Sequence, residues 1–276
     1  MHREGSGEPQ GGAPVNQAAA AARRVLLAAG LPLALLGLWW LASADSQSFY
    51  LPPLRDILAA FADTWLGGRL ADDVLPSVVR LLAGLALAAL AGVALGVPIG
   101  SSPRLRATLE PVLEFLRAIP PPVLVPIFIL VAGIGTTMKV LVIASGCLWP
   151  ILLNTVEGVR ARDEVLEDTC RVYGIRGAAR LRHLVLRSAS PQIVTGMRQA
   201  LAIGIILMVI SEMFAASSGL GFTIVQFQRG FAIPEMWSGI LLLGLLGVVL
   251  SWLFGMVERR VLSWYHGLRR AQRGPS

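Results

Sequence analysis

The sequence predicts an all-α integral membrane protein with about six transmembrane helices. Two observations support this prediction: 55% of the 276 residues are hydrophobic against 15% charged, and several stretches contain no charged residue. Each such stretch approaches the roughly 20 residues that an α-helix needs to cross the hydrocarbon core of a bilayer. The apolar runs are continuous and do not alternate with polar residues, which excludes a membrane β-barrel.

The predicted spans follow these runs in chain order. The charge-free stretches are 25–44, 81–103, 118–138 and 236–257. Two further apolar runs are less clean, because 140–156 is short and 191–216 contains Arg198 and Glu212. We therefore predict a membrane domain over 23–268, with spans at about 25–44, 79–101, 114–134, 138–157, 191–216 and 236–257. Residues 1–22 and 269–276 are predicted to be tails, the first of them disordered.

The first apolar run has a second interpretation. Arg23 and Arg24, the apolar residues 25–41 and the small residues 42–44 resemble a cleavable signal peptide. Cleavage would leave five spans and place the two termini on opposite sides of the membrane. Because the run is long enough to span and opens a polytopic chain, we interpret it as an uncleaved first helix.

The positive charge indicates orientation. With six spans and a cytoplasmic amino terminus, most of the 24 Lys and Arg residues fall on the cytoplasmic side, as the positive-inside rule requires. Both termini are then cytoplasmic. The net charge of +7 thus faces anionic lipid, which argues against a nucleic-acid partner.

Two features between or within the spans carry further predictions. Leu54, Ile57, Leu58, Phe61 and Trp65 recur at helical spacing after span one, which predicts an amphipathic helix on the outer side. Glycines 92, 96 and 100 repeat a small-xxx-small spacing in span two. That spacing favours a close helix contact, either within the subunit or across a dimer.

Two kinds of residue are candidates for the transport pathway or a gate. Pro121 and Pro122 interrupt span three, and they mark either a hinge in the pathway wall or the start of the span. Glu212 is a carboxylate within span five, where an ionisable group is a functional candidate by default. Its place near the outer end would let it reach water or cap the turn at 217–219, in a gating or a structural role.

The longest polar interruption, which we call the basic segment (158–190), carries seven arginines. Residues 163–173 sort into an apolar face with Val165, Leu166 and Tyr173 and a charged face. Gly174 stands where a helix C-cap is expected. A second amphipathic helix is predicted after it, and Pro191 is predicted to open span five.

This segment resembles the cytoplasmic EAA motif of ABC-importer permeases. Asp168 stands in the Glu position, Thr169 and Cys170 in the Ala positions, and Gly174 matches the motif's glycine. Leu184 and Leu186 match its distal part, while Arg187 replaces a proline. The sequence is similar, over about 25–268, to the nitrate/sulfonate/taurine branch of type I importers.

The resemblance implies a permease with three kinds of protein partner: two cytoplasmic ABC ATPase subunits, a second copy of the chain and an extracytoplasmic solute-binding protein. It implies the cell inner (plasma) membrane as location and a small solute such as an aliphatic sulfonate, taurine or nitrate as cargo. It also assigns the ATPase contact to Glu167, Asp168, Thr169, Cys170, Arg171, Tyr173 and Gly174. ATP and magnesium would be bound by the partner ATPases.

The sequence separately argues that the motor lies in another chain. A phosphate-binding P-loop needs Gly-Lys followed by Ser or Thr, and the chain's one lysine, Lys139, lies between Met and Val. The alternative is a stand-alone secondary transporter, which would favour ionisable residues near mid-span and internal repeats. An enzyme is not expected, because the three histidines are scattered and neither catalytic nor metal-binding spacing occurs.

Overall fold

The structure, a computed structural model, describes residues 30–214, 216–265 and 267 of the 276. The chain divides into two units, residues 1–59 and 60–276. In the first unit the described part of span one is a helix, α1 (Gly30–Ser43). The Leu54 amide donates to the Ser43 hydroxyl at 3.1 Å, which ties the end of α1 to the start of α2 (Leu54–Thr64). The tails 1–22 and 269–276 lie outside the described residues.

The described residues contain helices and no strand, which confirms the all-α prediction. A wide helical stretch, Trp65–Val74, follows α2 and contains Gly68 at a φ of 115°. The remaining helices are α3 (Leu75–Ser101), α4 (Pro103–Ala118), α5 (Val125–Ala132), α6 (Thr136–Arg160), α7 (Glu164–Val172), α8 (Gly177–Arg180), α9 (Leu186–Phe214), α10 (Leu220–Arg229) and α11 (Ile233–Val261). The short turn Pro121–Leu124 precedes α5, and a wide turn, Leu181–Val185, joins α8 to α9.

Four helical stretches among the described residues are long and apolar enough to cross a membrane: Leu54–Ser101, Thr136–Arg160, Gly177–Phe214 and Ile233–Val261. The region predicted as span three, 114–134, is interrupted at its prolines. The chain leaves the helix after Ala118, and Pro103–Ala118 and Pro121–Ala132 meet at 82°. Pro121 and Pro122 open the turn that leads into α5, because proline fits a first helical turn but cannot continue a preceding helix.

Pro191, predicted to open span five, does not begin a helix. It lies inside α9, which is part of a longer helical stretch from Gly177 to Phe214. A proline inside a helix leaves the carbonyl four residues earlier without its usual donor. Here that carbonyl is Arg187 O, and the Ser190 hydroxyl donates to it at 2.9 Å. The lost backbone bond is thereby replaced and the helix persists.

The core of the second unit is formed by α3, α6 and α9, and glycines set its spacing. A Cβ added to Gly92 would lie 2.9 Å from Ile151 Cγ2, and one added to Gly96 would lie 2.7 Å from Thr155 Cβ. Such distances leave room only for hydrogen, so the backbones of α3 and α6 pack closely. The glycine repeat therefore makes its contact within the subunit, which settles the alternative left open by the sequence.

Candidate functional site

Within the basic segment, α7 is capped at both ends. The Asp163 carboxylate accepts from the Val165 amide at 2.8 Å, a side-chain cap of the first turn. At the other end Gly174 has a φ of 67°, and the Ile175 amide donates to Cys170 O at 2.8 Å. This is the backbone pattern of a glycine-terminated helix. The predicted C-cap at Gly174 is confirmed.

Ion pairs hold α7 against the rest of the second unit. Glu167 pairs with Arg180 at the end of α8 and with Arg162 at 3.7 Å. Arg162 in turn donates to Ser101 Oγ at 3.4 Å, next to the end of α3. Glu167 is therefore an anchor of this helix, and its charge faces the protein.

The outward side of α7 is apolar and exposed. Val172 is 82% exposed and Tyr173 78% exposed, and Val165 is also exposed. Leu166 and Thr169 line an open cavity of about 240 Å³, with Trp264 among its other walls. Exposed apolar side chains grouped on one short helix make this side of α7 a candidate contact surface. The predicted apolar face is thus present and largely uncovered.

A second polar site lies inside the helix bundle, and we call it the buried charge cluster (Ser77, Arg80, Lys139 and Glu212). Glu212 in α9 is completely buried. Its carboxylate accepts from Arg80 Nη1 at 2.8 Å and from the Gly221 amide at 3.0 Å. The Ser77 hydroxyl lies 2.7 and 2.9 Å from its two oxygens. Burial with these donors satisfies the carboxylate, as a buried charge requires.

The cluster also fixes the turn between α9 and α10. Arg80 donates to Ser218 O and to Ser218 Oγ, both at 3.1 Å. The Gly219 amide donates to Asp73 Oδ1 at 3.2 Å, and the Leu220 amide donates to Ser77 Oγ at 2.9 Å. The start of α10 is therefore capped by side chains that come from α3 and the stretch before it.

Gly219 is required at this turn for two reasons. Its φ of 119° is strongly unfavourable for residues with a side chain. A Cβ at this position would also lie 2.5 Å from the Glu212 carboxyl carbon. The backbone can approach the carboxylate this closely only because residue 219 is glycine.

These contacts correct part of the sequence prediction. Glu212 does not reach water, because it is fully buried; it does contact the following turn, through the Gly221 amide. The sequence analysis did not identify Arg80, Ser77 or Asp73 as its companions. The signal was present in the chain: an arginine within one apolar run and a carboxylate within another are expected to pair in a membrane.

The other candidate pathway residues lie elsewhere. Pro121 packs on α6, where a Cβ added to Gly146 would lie 3.0 Å from Pro121 Cγ. Gly146 is two helical turns along α6 from Lys139. Pro122 is half-buried next to Pro121 in the same turn. No contact between these prolines and Glu212 is found among the described residues.

The described residues form long apolar helices and no strands. These features define a multi-pass membrane protein. Residues 84–263 match the family described as binding-protein-dependent transport system inner membrane component. The chain belongs to this family. It is a permease of an ABC importer. The family is one of transporters and not of enzymes. Membership decides against a stand-alone secondary transporter.

Two relatives illustrate the similarity. The taurine transport system permease protein TauC of Escherichia coli (strain K12) is 28% identical, over 88% of this chain and 91% of that protein. The putative aliphatic sulfonates transport permease protein SsuC of Bacillus subtilis (strain 168) is 28% identical, over 85% of this chain and 86% of that protein.

A solved structure confirms the fold class. A chain of the MetNI methionine ABC transporter, described in inward-facing conformations, superposes with a TM-score of 0.52 at 22% identity. The match covers 67% of this chain and 93% of that chain. The architecture is that of a type I ABC importer permease, and such a permease works with an ATPase and a binding protein as partners.

Proposed function

We propose that this permease imports a small organosulfonate or a related anion, with taurine and aliphatic sulfonates as the first candidates and nitrate as a further one. The support is the similarity to two permeases named for taurine and for aliphatic sulfonates. The solute would be delivered by an extracytoplasmic binding protein. ATP and magnesium would be bound by the partner ATPase subunits and not by this chain.

The partner contact proposed on this chain is the outward side of α7. The observation that supports it is the exposed apolar group Val165, Val172 and Tyr173 on a helix that Glu167 anchors to two arginines. An anchored helix with an uncovered apolar side can bind a partner and pass its movement to the protein. Asp168, Thr169, Cys170, Arg171 and Gly174 complete the proposed ATPase contact.

The assembly follows from the same proposal. Two copies of the permease would bind two ATPase subunits, and both termini and the basic segment would face the cytoplasm across the inner membrane. The arginine-rich composition of 158–190 supports this orientation. Glu212 and Pro121 remain candidates for a gate.

The proposed contact can be tested by affinity purification of the tagged chain from native membranes, with ATPase activity measured on the eluate. We expect an ATPase to copurify with the unchanged chain. The variants Asp168→Arg and Gly174→Leu should lose it while remaining in the membrane. Arg104→Glu, a charge reversal at an exposed position of α4, is the matched control and should keep it. Full ATPase recovery and normal uptake in both test variants would rule out the contact.

A further inference from the structure

The buried charge cluster carries more positive than negative charge. Arg80 pairs with Glu212 at 2.8 Å, and Asp73 is directed to the Gly219 amide and to Arg69. Lys139 is only 3% exposed, and no hydrogen bond or ion pair to it is found among the described residues. An ammonium group buried without a counter-charge is strongly unfavourable. A lysine in such a place either gives up its proton or takes an anionic partner from outside the chain.

The packing of α3 and α6 places Lys139 beside Arg80. The two helices run parallel, with Gly84 against Ile143, Gly92 against Ile151 and Gly96 against Thr155. The difference in residue number between the two partners is the same in each pair. Applied one turn before Gly84, the same difference places Arg80 of α3 at the level of Lys139 of α6. The one carboxylate of the cluster, Glu212, forms its ion pair with Arg80, and no ion pair between Glu212 and Lys139 is found among the described residues. Two basic side chains from neighbouring helices thus accompany a single carboxylate.

The Lys139 side chain is buried, but its ammonium group is not completely covered. In the described part of the chain, the only side-chain polar atom that is fully enclosed and has no hydrogen-bond partner is Arg162 Nε. No hydrogen-bond partner of Lys139 Nζ is found among the same residues, so a small part of the surface of this atom remains uncovered, although the side chain as a whole is only 3% exposed.

We propose that Lys139 and Arg80 form an anion site within the membrane, for a small oxyanion group such as a sulfonate. Lys139 would donate directly, since an ammonium offers three N–H groups. Arg80 would act through its charge, because its two terminal nitrogens are already bonded to Glu212 and Ser218. Lys139 also lies in the first turn of α6, where the free backbone amides favour negative charge. Only the identity of the natural ligand rests on the proposed function.

The composition of the chain allows a direct test, because Lys139 is its one lysine. The full permease, labelled with [¹³Cε]lysine and assembled with unlabelled partner subunits, should give one lysine side-chain NMR signal. We expect sodium methanesulfonate to shift this signal saturably, and sodium chloride at the same concentrations to leave it unchanged. A signal that does not move, or that drifts equally with both salts, would overturn the proposal.

A transport measurement distinguishes failure of this site from failure of the proposed function. With uptake of a labelled alkanesulfonate as readout, Lys139→Met should lower transport at subsaturating solute about tenfold, the value of one charge-assisted hydrogen bond. Lys139→Arg, which keeps the cation, should recover most of it. Normal sulfonate uptake by Lys139→Met would refute the anion site and leave the import function standing. Saturable NMR shifts without any sulfonate uptake would support the site and refute the proposed cargo.

Discussion

The buried charge cluster and the basic segment contain ion pairs of similar geometry in opposite surroundings. Arg80 and Glu212 lie 2.8 Å apart with side chains 8% and 0% exposed, whereas Arg171 and Asp168 lie 3.1 Å apart with side chains 74% and 68% exposed. Water solvates the exposed charges whether or not they pair, so that pair contributes about 0–1 kcal/mol. Inside the bundle, each charge depends on its partner. Burial, and not distance, therefore decides which pair maintains the fold.

Glu212→Ala should give the largest effect, because it leaves Arg80 and Lys139 buried without a carboxylate. Breaking a buried pair by removing one partner destabilises by about 3–5 kcal/mol. The expected result is a lower thermal unfolding midpoint in detergent and a smaller monodisperse fraction. Asp168→Ala is the matched control and should leave both unchanged. Equal midpoints for the two variants would show that burial does not separate the two pairs.

Gly219→Ala and Gly174→Ala extend the comparison between the buried charge cluster and the basic segment. Both glycines have a positive φ. At Gly219 the added methyl meets the Glu212 carboxyl group in addition to the strained backbone, whereas the space around Gly174 is open. Clash and strain together should destabilise by about 3 kcal/mol or more. Strain alone at Gly174 should destabilise by about 1–2 kcal/mol.

The measurement for this pair is reversible unfolding in mixed detergent micelles, followed by circular dichroism for both variants. A Gly174→Ala variant that loses as much stability as Gly219→Ala would contradict the close contact between the 219 backbone and Glu212.

Arg171→Gln should give the smallest effect on stability. The exposed pair with Asp168 should be worth about 0–1 kcal/mol, and less at high salt because mobile ions screen it. The unfolding midpoint should shift little, and raising the salt concentration should narrow the difference from the unchanged chain. A loss of several kcal/mol would mean that the basic segment contributes to the core.

Local patterns in the sequence were sufficient for much of the fold. Charge-free runs located α3, α6 and α11, and the placement of Gly174 after an amphipathic stretch located the end of α7. Both signals depend on residues close together in the chain, where helical periodicity and the conformation of glycine act directly.

The errors arose where distant residues decide the outcome. Glu212 and Arg80 are neighbours only because α3 and α9 pack together, and no local pattern encodes that contact. The helix at Pro191 is a local exception, because the Ser190 hydroxyl one residue earlier replaces the missing donor. The proline run predicts an interruption of the helix but not the 82° angle between α4 and the stretch that begins at Pro121. That angle depends on the surfaces against which α4 and α5 pack.

The continuous helix from Gly177 to Phe214 has a mechanical consequence. At 1.5 Å per residue, its 38 residues make a rod of about 57 Å. Arg180 near one end is bonded to Glu167 of α7, and Glu212 near the other end holds the turn into α10. Between these two ends, Gly196 packs closely on the Pro150 carbonyl, and this contact can act as a pivot. If the stretch tilts as a rigid body about this contact, a displacement at the Arg180 end produces an opposite displacement at the Glu212 end.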